Sequence, residues 1–201
     1  MNIDILVNKN NLLDKNYIPR DLVYMDDNKN NFHKYVNPLD KPTISIIILP
    51  SFLAMKKDFE NYFKKSLLIV DSGYRSYDYQ EKIWEDNIKK IGYENTLKKV
   101  ALPGTSEHQT GYAIDIAFIN DGIYTDYIND EDVKVKWLLN NSYKYGFILR
   151  YPLGKENITG YSYEPWHYRF VDLKIDKEIY ENKITLEEYQ KNIALERHNH
   201  I

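Results

Sequence analysis

Three short segments of the chain concentrate side chains that can bind a metal ion or move a proton. They are residues 72–76 followed by Gln80, residues 103–115, and residues 164–169. The chain has no cysteine, so that thiolate metal sites and disulfide bonds are excluded. Any metal must therefore be held by histidine, aspartate or glutamate.

Asp115 lies in a stretch whose residues alternate between large and small side chains, as a strand with one buried face requires. The large residues are Tyr112, Ile114, Ile116 and Phe118, and the small ones are Gly111, Ala113 and Ala117. Space beside the Asp115 carboxylate would admit a metal or a substrate, although an edge-strand aspartate facing solvent fits the same pattern. His108 lies seven residues earlier, in a loop rich in Gly, Ser and Thr that can fold back over the strand. Considered alone, a loop histidine is more often simply solvated.

The third segment carries a carboxylate and a histidine on either side of a proline. Pro165 disfavours a helix and favours a turn that leads into a strand. His167 can then point inward, opposite Trp166 and Tyr168, for which core packing is the simpler role. The segment therefore offers one candidate metal ligand and, in Glu164, one candidate base.

Together, His108, Asp115 and His167 offer three ligands and leave a fourth position for water. This is the open pattern of a catalytic zinc site, unlike the closed four-ligand pattern of structural sites. Zinc lowers the pKa of bound water to roughly 7, and a nearby carboxylate can accept the proton. Glu164 is therefore the candidate general base.

The elements that must position these residues are predicted from hydrophobic periodicity and turn signals. Helices are expected over residues 51–65, 79–91, 133–145 and 186–195, the last opened by a capping box at Thr185 and Glu188. Strands are expected over residues 67–70, 111–118, 147–151 and 166–171, whereas residues 43–49 fit either a strand or a helix. Residues 1–43 are expected to be irregular, because Pro19, Pro38 and Pro42 interrupt them. Strands and helices in no strict alternation favour an α+β domain.

Composition favours one domain over residues 1–201, with residues 1–43 as an irregular N-terminal segment and residues 185–201 as a C-terminal helix and tail. A chain of 201 residues with 43% hydrophobic residues can bury one sizeable core. The net charge of −3, from 27 basic and 30 acidic residues, argues against a nucleic-acid partner, which binds clearly basic faces.

Neither a membrane span nor an export signal is expected. The longest apolar stretch, residues 44–55, is broken by Pro50 and Ser51 and is shorter than the roughly 20 residues that cross a bilayer. Residues 1–11 lack the apolar core of a signal peptide. The sequence as written therefore predicts a cytoplasmic protein, whereas export to the cell wall is the alternative if the native chain starts upstream of Met1.

Several segments resemble, in the same order, the VanY and VanXY D-alanyl-D-alanine carboxypeptidases of the LAS group of zinc metallopeptidases. The matching features are His108-x6-Asp115, Glu164-x2-His167, Ser106 and Gly73-Tyr74-Arg75. Residues 100–104, 145–152 and 158–160 resemble the same enzymes, so that the likeness extends from about Ile5 to the last predicted helix. The fold implied by this resemblance is a small antiparallel sheet that carries a zinc site, with helices packed around it.

The resemblance implies a zinc metallocarboxypeptidase. One Zn²⁺ per chain would be held by His108, Asp115 and His167, and Glu164 would be the catalytic base. The implied substrate is a peptidoglycan precursor or stem peptide that ends in D-Ala-D-Ala, from which the terminal D-alanine is removed. Such a reaction would serve glycopeptide resistance, because it destroys the antibiotic's target, and it fits ordinary wall remodelling equally well.

Three further residues, Arg75, Ser106 and Gln80, match positions that contact the substrate in the resembled enzymes. Arg75 would face the substrate carbonyl or carboxylate, where a guanidinium stabilises negative charge. Ser106 and Gln80 would hold the terminal carboxylate, and Trp166 would wall the pocket. The structural alternatives are a surface ion pair for Arg75, a loop or cap hydroxyl for Ser106, an exposed helix residue for Gln80 and simple packing for Trp166.

Other activities fit the same ligands. They are an L,D-peptidase or endopeptidase, a bifunctional D,D-dipeptidase and carboxypeptidase, and a non-catalytic zinc domain that binds wall peptide. Glu164 argues against the last, because a binding site needs no base. The resembled VanXY enzymes carry an aspartate at the position of Ser72, so that Ser72 predicts a preference for pentapeptide over dipeptide. Asp71 would point to the opposite face of a continuous strand, although a loop within residues 120–132 could supply an acid.

Overall fold

Strands and helices follow one another without strict alternation in the computed structural model, which describes residues 2–26, 31–34, 42–126 and 128–199. The strands are β1 (Leu22–Asp26), β2 (Asn31–Lys34), β3 (Thr43–Ser45), β4 (Ser66–Ser72), β5 (Ala113–Asn120), β6 (Ile123–Thr125), β7 (Phe147–Leu149) and β8 (His167–Phe170). The helices are α1 (Leu49–Tyr62), α2 (Tyr77–Ile91), α3 (Tyr93–Lys99), α4 (Val133–Asn141), α5 (Glu156–Thr159), α6 (Leu173–Asn182) and α7 (Leu186–Asn199). None of the helices in these ranges has the length and apolar character needed to cross a membrane.

Two antiparallel sheets organise these strands. The smaller sheet has the order β2-β1-β3, and the larger has the order β4-β5-β8-β7, with β6 paired to β5. Within the larger sheet, the ladder sets Asp115 of β5 opposite His167 of β8 and opposite Ser72 of β4. The predicted α+β class, with a small antiparallel sheet and helices around it, is confirmed.

One face of β5 is buried in the main core together with α1. Its large residues, Tyr112, Ile114, Ile116 and Phe118, all belong to that core. Phe59 of α1 stacks on Phe118 with 5.5 Å between the ring centroids. Burying each such side chain contributes about 1.5–3 kcal/mol, so a one-residue slip of this strand would be costly. The alternation predicted for residues 111–118 is confirmed, and it leaves Asp115 on the opposite face.

Helix boundaries follow local capping signals. Helix α2 begins after Ser76, whose hydroxyl accepts a hydrogen bond from the Tyr79 amide. Its end before Gly92 is the end that the sequence predicted. The capping box of α7 is confirmed as well. The Glu188 amide donates to the Thr185 hydroxyl at 3.2 Å, and the Thr185 amide donates to the Glu188 carboxylate at 2.8 Å.

Other segments differ from the sequence prediction. Residues 1–43 are not irregular throughout, because β1 and β2 lie within them and pair antiparallel; the prediction for residues 27–30 and 35–41 lies outside the described residues. Residues 43–49 divide into β3, a turn and the start of α1. The helix predicted over residues 133–145 is α-helical only to Asn141 and continues as a 3-10 turn. Strand pairing and packing override weak local patterns here.

Gly73 lies where β4 ends, and its surroundings leave no room for a side chain. A Cβ atom there would overlap the carbonyl oxygen of Thr43 and lie 3.0 Å from the Ile44 side chain. We therefore expect Gly73→Ala to lower the free energy of unfolding by about 3 kcal/mol, the upper range for overpacking. Urea denaturation followed by circular dichroism measures this loss.

Gly154→Ala is the matched control for this prediction. Nothing lies within 4 Å of a Cβ atom at Gly154, where only the positive φ of +81° is strained. The control is expected to lose about 1 kcal/mol from backbone strain alone. Equal losses in the two variants would contradict the packing argument.

Candidate active site

Strand pairing and one turn bring the three predicted metal ligands together. Asp115 and His167 face each other across β5 and β8. His108 lies in a 3-10 turn, residues 107–110, that precedes β5 and folds back over it. One potential ligand atom from each of the three side chains lies within 4.8 Å of the others. The cluster predicted from residue types and spacing is therefore assembled in the structure.

The two imidazole rings present different nitrogen atoms to Asp115. His108 Nδ1 lies 2.6 Å from the Gly73 carbonyl oxygen, to which it donates, and Nε2 lies 3.3 Å from Asp115 Oδ2. His167 directs Nδ1 to Asp115 Oδ1 at 2.9 Å. His108 Nε2 is buried and has no hydrogen-bond partner among the described residues. A buried nitrogen lone pair left in this way, next to a carboxylate, fits a zinc ligand set with an open fourth position.

Burial and neighbouring charges set the protonation of the cluster. Burial and then the Arg75 guanidinium lower the pKa of His108 to about 4, so this ring is neutral at pH 7, as a metal ligand must be. Burial alone would raise the pKa of Asp115, but His108, His167 and Arg75 hold it well below its usual range. For His167, burial favours the neutral ring, whereas Asp115 and Glu107 raise the pKa to about 9.

Glu164 lies beside the cluster without belonging to it. Its Oε2 is 3.8 Å from His167 Nδ1, and the His167 amide donates to the Glu164 carbonyl oxygen across the turn that Pro165 begins. Burial raises the pKa of Glu164 to about 7, with a further upward contribution from Asp115 and an opposing one from His167. A carboxyl group with a pKa near the working pH is suited to take up and return a proton.

A cavity of about 200 Å³ opens onto the cluster. Of the residues predicted from the sequence, the lining includes Arg75, Ser106, His108, Asp115, Glu164, Trp166 and His167. Arg75 Nη2 lies 2.9 Å from Asp115 Oδ2, so its ion pair is part of the site and not a surface contact. Ser106 is buried and its hydroxyl does not cap the adjoining 3-10 turn. Trp166 is 36% exposed, which fits a cavity wall better than core packing.

Gln80 and Ser72 are placed differently from the other predicted residues. Gln80 is buried, donates to the Ala101 carbonyl oxygen at 2.8 Å and accepts from Arg75 Nη1 at 3.2 Å. Both ends of its amide are thus engaged, and neither residue lines the 200 Å³ cavity. Gln80 holds Arg75 in place, and Ser72 contributes to the β4–β5 ladder opposite Asp115.

Asp71 does not follow the strand alternation that was expected for it. The β4–β5 ladder has a register shift between Val70 and Ser72, because an irregularity interrupts the regular pleat at Asp71. Asp71 accepts a hydrogen bond from the Tyr124 hydroxyl. It also borders a second cavity, of about 240 Å³, together with Asp115, Ile116, Asp126 and Trp166. Asp71 thus does not line the 200 Å³ cavity but borders a neighbouring cavity that also includes Asp115 and Trp166. Asp126 comes from the loop region considered as a source of acid.

The sequence reasoning assigned no role to several residues that shape the site. Tyr151 and Tyr161 line the cavity, with ring centroids 4.9 Å apart. Glu107 lies directly under His167, with its Oε2 at 3.6 Å from His167 Nε2. Only their positions within or beside the segments that resemble the VanY enzymes could have drawn attention to them.

Two imidazoles and a carboxylate around an open position, beside a carboxyl group that can exchange a proton, define the class of zinc hydrolases. The family model described as VanY, D-alanyl-D-alanine carboxypeptidase, matches residues 46–173, and this chain belongs to that family. The resemblance inferred from the motifs is confirmed.

Individual relatives match almost the whole chain. VanXYC of Enterococcus gallinarum, a bifunctional D-Ala-D-Ala dipeptidase and D-Ala-D-Ala carboxypeptidase, is 36% identical over 200 residues, which cover 96% of each chain. The structure of the LdcB LD-carboxypeptidase is 39% identical, with a TM-score of 0.77 over 92% of this chain and 84% of that chain. A VanY D,D-pentapeptidase from a VanB-type resistance cassette, in complex with Zn(II), is 34% identical, with a TM-score of 0.72 over 93% of this chain and 98% of that chain.

Proposed function

We propose that this protein is a zinc-dependent D,D-carboxypeptidase that removes the terminal D-alanine from peptidoglycan precursors or stem peptides ending in D-Ala-D-Ala. The observation that carries the proposal is the convergence of His108, Asp115 and His167 within 4.8 Å, with Glu164 beside them. Membership of the VanY family and the likeness to a Zn(II)-bound VanY structure support it. A purely binding domain would have no use for Glu164.

The metal would be held by His108 through Nε2, by His167 through Nδ1 and by Asp115. When bound, Zn²⁺ polarises the scissile carbonyl and makes water more acidic. Glu164 accepts a proton from the attacking water and delivers it to the nitrogen of the leaving D-alanine. Burial raises the pKa of Glu164 to about 7, which suits a group that takes up a proton and returns it.

The other cavity residues would orient the peptide. Arg75 faces the substrate carbonyl oxygen and stabilises negative charge that develops there, while Gln80 and Asp115 keep its guanidinium in place. The Ser106 hydroxyl is available to the terminal carboxylate, and Trp166 covers the side of the cavity. Gln80 acts through Arg75 in this scheme, in place of the direct carboxylate contact that the resemblance implied.

An L,D-carboxypeptidase is the second candidate function, because the LdcB LD-carboxypeptidase is 39% identical to this chain. Both activities use the same residues and differ in the stereochemistry of the residue before the cut. Mass spectrometry of the products from a pentapeptide, a tetrapeptide and free D-Ala-D-Ala separates them. Loss of one D-alanine from the pentapeptide alone supports the D,D-activity, and cleavage of the tetrapeptide alone overturns it.

We expect kcat/KM for the pentapeptide to exceed that for free D-Ala-D-Ala by at least about tenfold, because a free ammonium needs an acid partner when it is buried. Ser72 does not line the cavity, but it lies opposite Asp115 in the β4–β5 ladder, so that Ser72→Asp places an acid next to the site. This variant is expected to shift the ratio toward the dipeptide, and Ser72→Asn is the matched variant without charge. Steady-state kinetics on both substrates measure the ratio. Equal or better values for the dipeptide in the unaltered protein would refute the argument from Ser72 and would direct attention to Asp71 and Asp126.

The biological setting of this reaction is a separate part of the proposal. A role in glycopeptide resistance and a role in wall remodelling both use the same cleavage, and the minimum inhibitory concentration of vancomycin in a deletion strain distinguishes them. The cytoplasmic location predicted from the sequence also stays a prediction. Fractionation of cells that express the native gene would test it.

A further inference from the structure

Behind the zinc ligands lies a buried ion network, which consists of Glu107, Arg150, Arg169 and Glu187. Glu107 Oε1 accepts from Arg150 Nε at 2.7 Å and from Arg169 Nη1 at 3.0 Å. Arg150 also donates through Nη1 and Nη2 to both carboxylate oxygens of Glu187, at 2.9 Å and 2.6 Å. The side chains of Glu107, Arg150 and Arg169 are 0% exposed, and that of Glu187 is 12% exposed.

The network joins distant parts of the chain. Glu107 precedes the ligand His108, Arg169 belongs to β8, and Glu187 lies in the first turn of α7. Arg169 Nη2 donates to the carbonyl oxygens of Ile3 and Ile5 in the N-terminal segment, at 2.7 Å and 2.9 Å. Segments near both ends of the described chain therefore form hydrogen bonds with the two arginines that bind Glu107.

A gain in stability does not by itself explain why four charged side chains are buried together in this way. Two carboxylates and two guanidinium groups balance in charge, but their desolvation costs several kcal/mol per ion, and apolar residues of the same volume often stabilise a fold as well or better. The two guanidinium groups that bind Glu107 Oε1 hold this carboxylate at a fixed place in the interior.

One oxygen of that carboxylate is not bound by the arginines, and this oxygen faces a metal ligand. Both arginines bind Oε1, whereas Oε2 has no hydrogen-bond partner among the described residues. It lies 3.6 Å from His167 Nε2, which is also buried and likewise without a partner in the described part of the chain. A movement of about half an ångström would bring this pair into hydrogen-bonding distance. No other partner for either atom is found in the described part of the chain.

We propose that Glu107 is a positioning residue for His167, accepting its Nε2–H and so directing Nδ1 toward Asp115 and the metal, while Arg150 and Arg169 hold the carboxylate. The proposal rests on the zinc site of the proposed function. Metal-bound histidines commonly donate their second N–H to a carboxylate or a backbone carbonyl, which fixes the ring and its tautomer. His108 uses the Gly73 carbonyl oxygen in this way, and Glu107 would be the charged counterpart for His167.

The tautomers of the unaltered protein provide a direct test that requires no mutation. Long-range ¹H–¹⁵N NMR spectra of the zinc-loaded protein should show His167 protonated at Nε2 and His108 protonated at Nδ1. The His167 Nε2 proton should exchange slowly with solvent, since the atom is buried. A His167 ring protonated at Nδ1 would overturn the proposal. This readout is independent of which peptide the enzyme cleaves, so a failed activity assay and a failed tautomer assignment are distinguishable.

A pair of matched variants tests the same proposal through metal affinity. Glu107→Gln removes the charge that faces His167, and Glu187→Gln makes the same change at the far side of Arg150, where no ligand is touched. Competition with a chromophoric chelator should show zinc affinity about 10–100-fold weaker in Glu107→Gln and within about threefold of the original in Glu187→Gln. Similar zinc affinities in the two variants would reduce Glu107 to a structural role; if Glu107→Gln does not fold, the tautomer measurement decides.

Discussion

Replacing Glu164 by glutamine is expected to reduce kcat by a factor of about 100 or more while zinc stays bound. Glutamine keeps the size and a hydrogen-bonding head group but cannot accept a proton, and general acid–base groups typically contribute a factor of about 10²–10⁴. The expected separation of catalysis from metal binding follows from the structure. Glu164 lies 3.8 Å from His167 Nδ1 but outside the group of three ligand atoms.

Steady-state kinetics on the pentapeptide, together with zinc content measured by atomic emission, test this prediction. Glu94→Gln is the matched control, because Glu94 is exposed in the first turn of α3, away from the cavity. The control should keep both activity and zinc. If Glu164→Gln loses its zinc, then Glu164 is a metal ligand and its assignment as the base is wrong.

Replacing His108 or His167 by alanine is expected to abolish both zinc retention and activity. The unaltered protein should carry about one zinc per chain, and removing one of three protein ligands leaves too few to hold it. The other nitrogen of His108 contacts the Gly73 carbonyl oxygen at 2.6 Å, and the other nitrogen of His167 lies 3.6 Å from the Glu107 carboxylate.

His198→Ala is the control for these variants. His198 is exposed near the end of α7, where its Nδ1 contacts the Ala194 carbonyl oxygen. Its removal should change neither zinc content nor kcat. Full activity of a preparation from which the metal has been removed would contradict the assignment of zinc as the cofactor. Restoration of activity on adding one equivalent of zinc would support it.

Local patterns in the sequence were sufficient for the buried face of the strand that carries Asp115, for the end of α2 at Gly92 and for the capping box of α7. The alternation over residues 111–118 is a property of neighbouring residues, and it predicts the buried face of β5 because each apolar side chain gains from burial. The cap at Thr185 is equally local, since its hydroxyl accepts from the backbone amide three residues on. Metal-binding residue types at family spacing likewise predicted the three side chains that converge within 4.8 Å of one another.

Contacts between distant residues could not be predicted in this way, because they depend on strand register and on what is excluded from water. Asp115 meets His167 across 52 positions of the chain, and Glu107 meets Arg169 across 62. The near-neutral pKa of Glu164 is a consequence of burial, which no motif encodes. The irregularity at Asp71 interrupts the regular alternation on which the expectation for that residue was based. Residue types thus indicated the chemistry, while packing placed an ionised carboxylate behind His167 and a proton acceptor beside it.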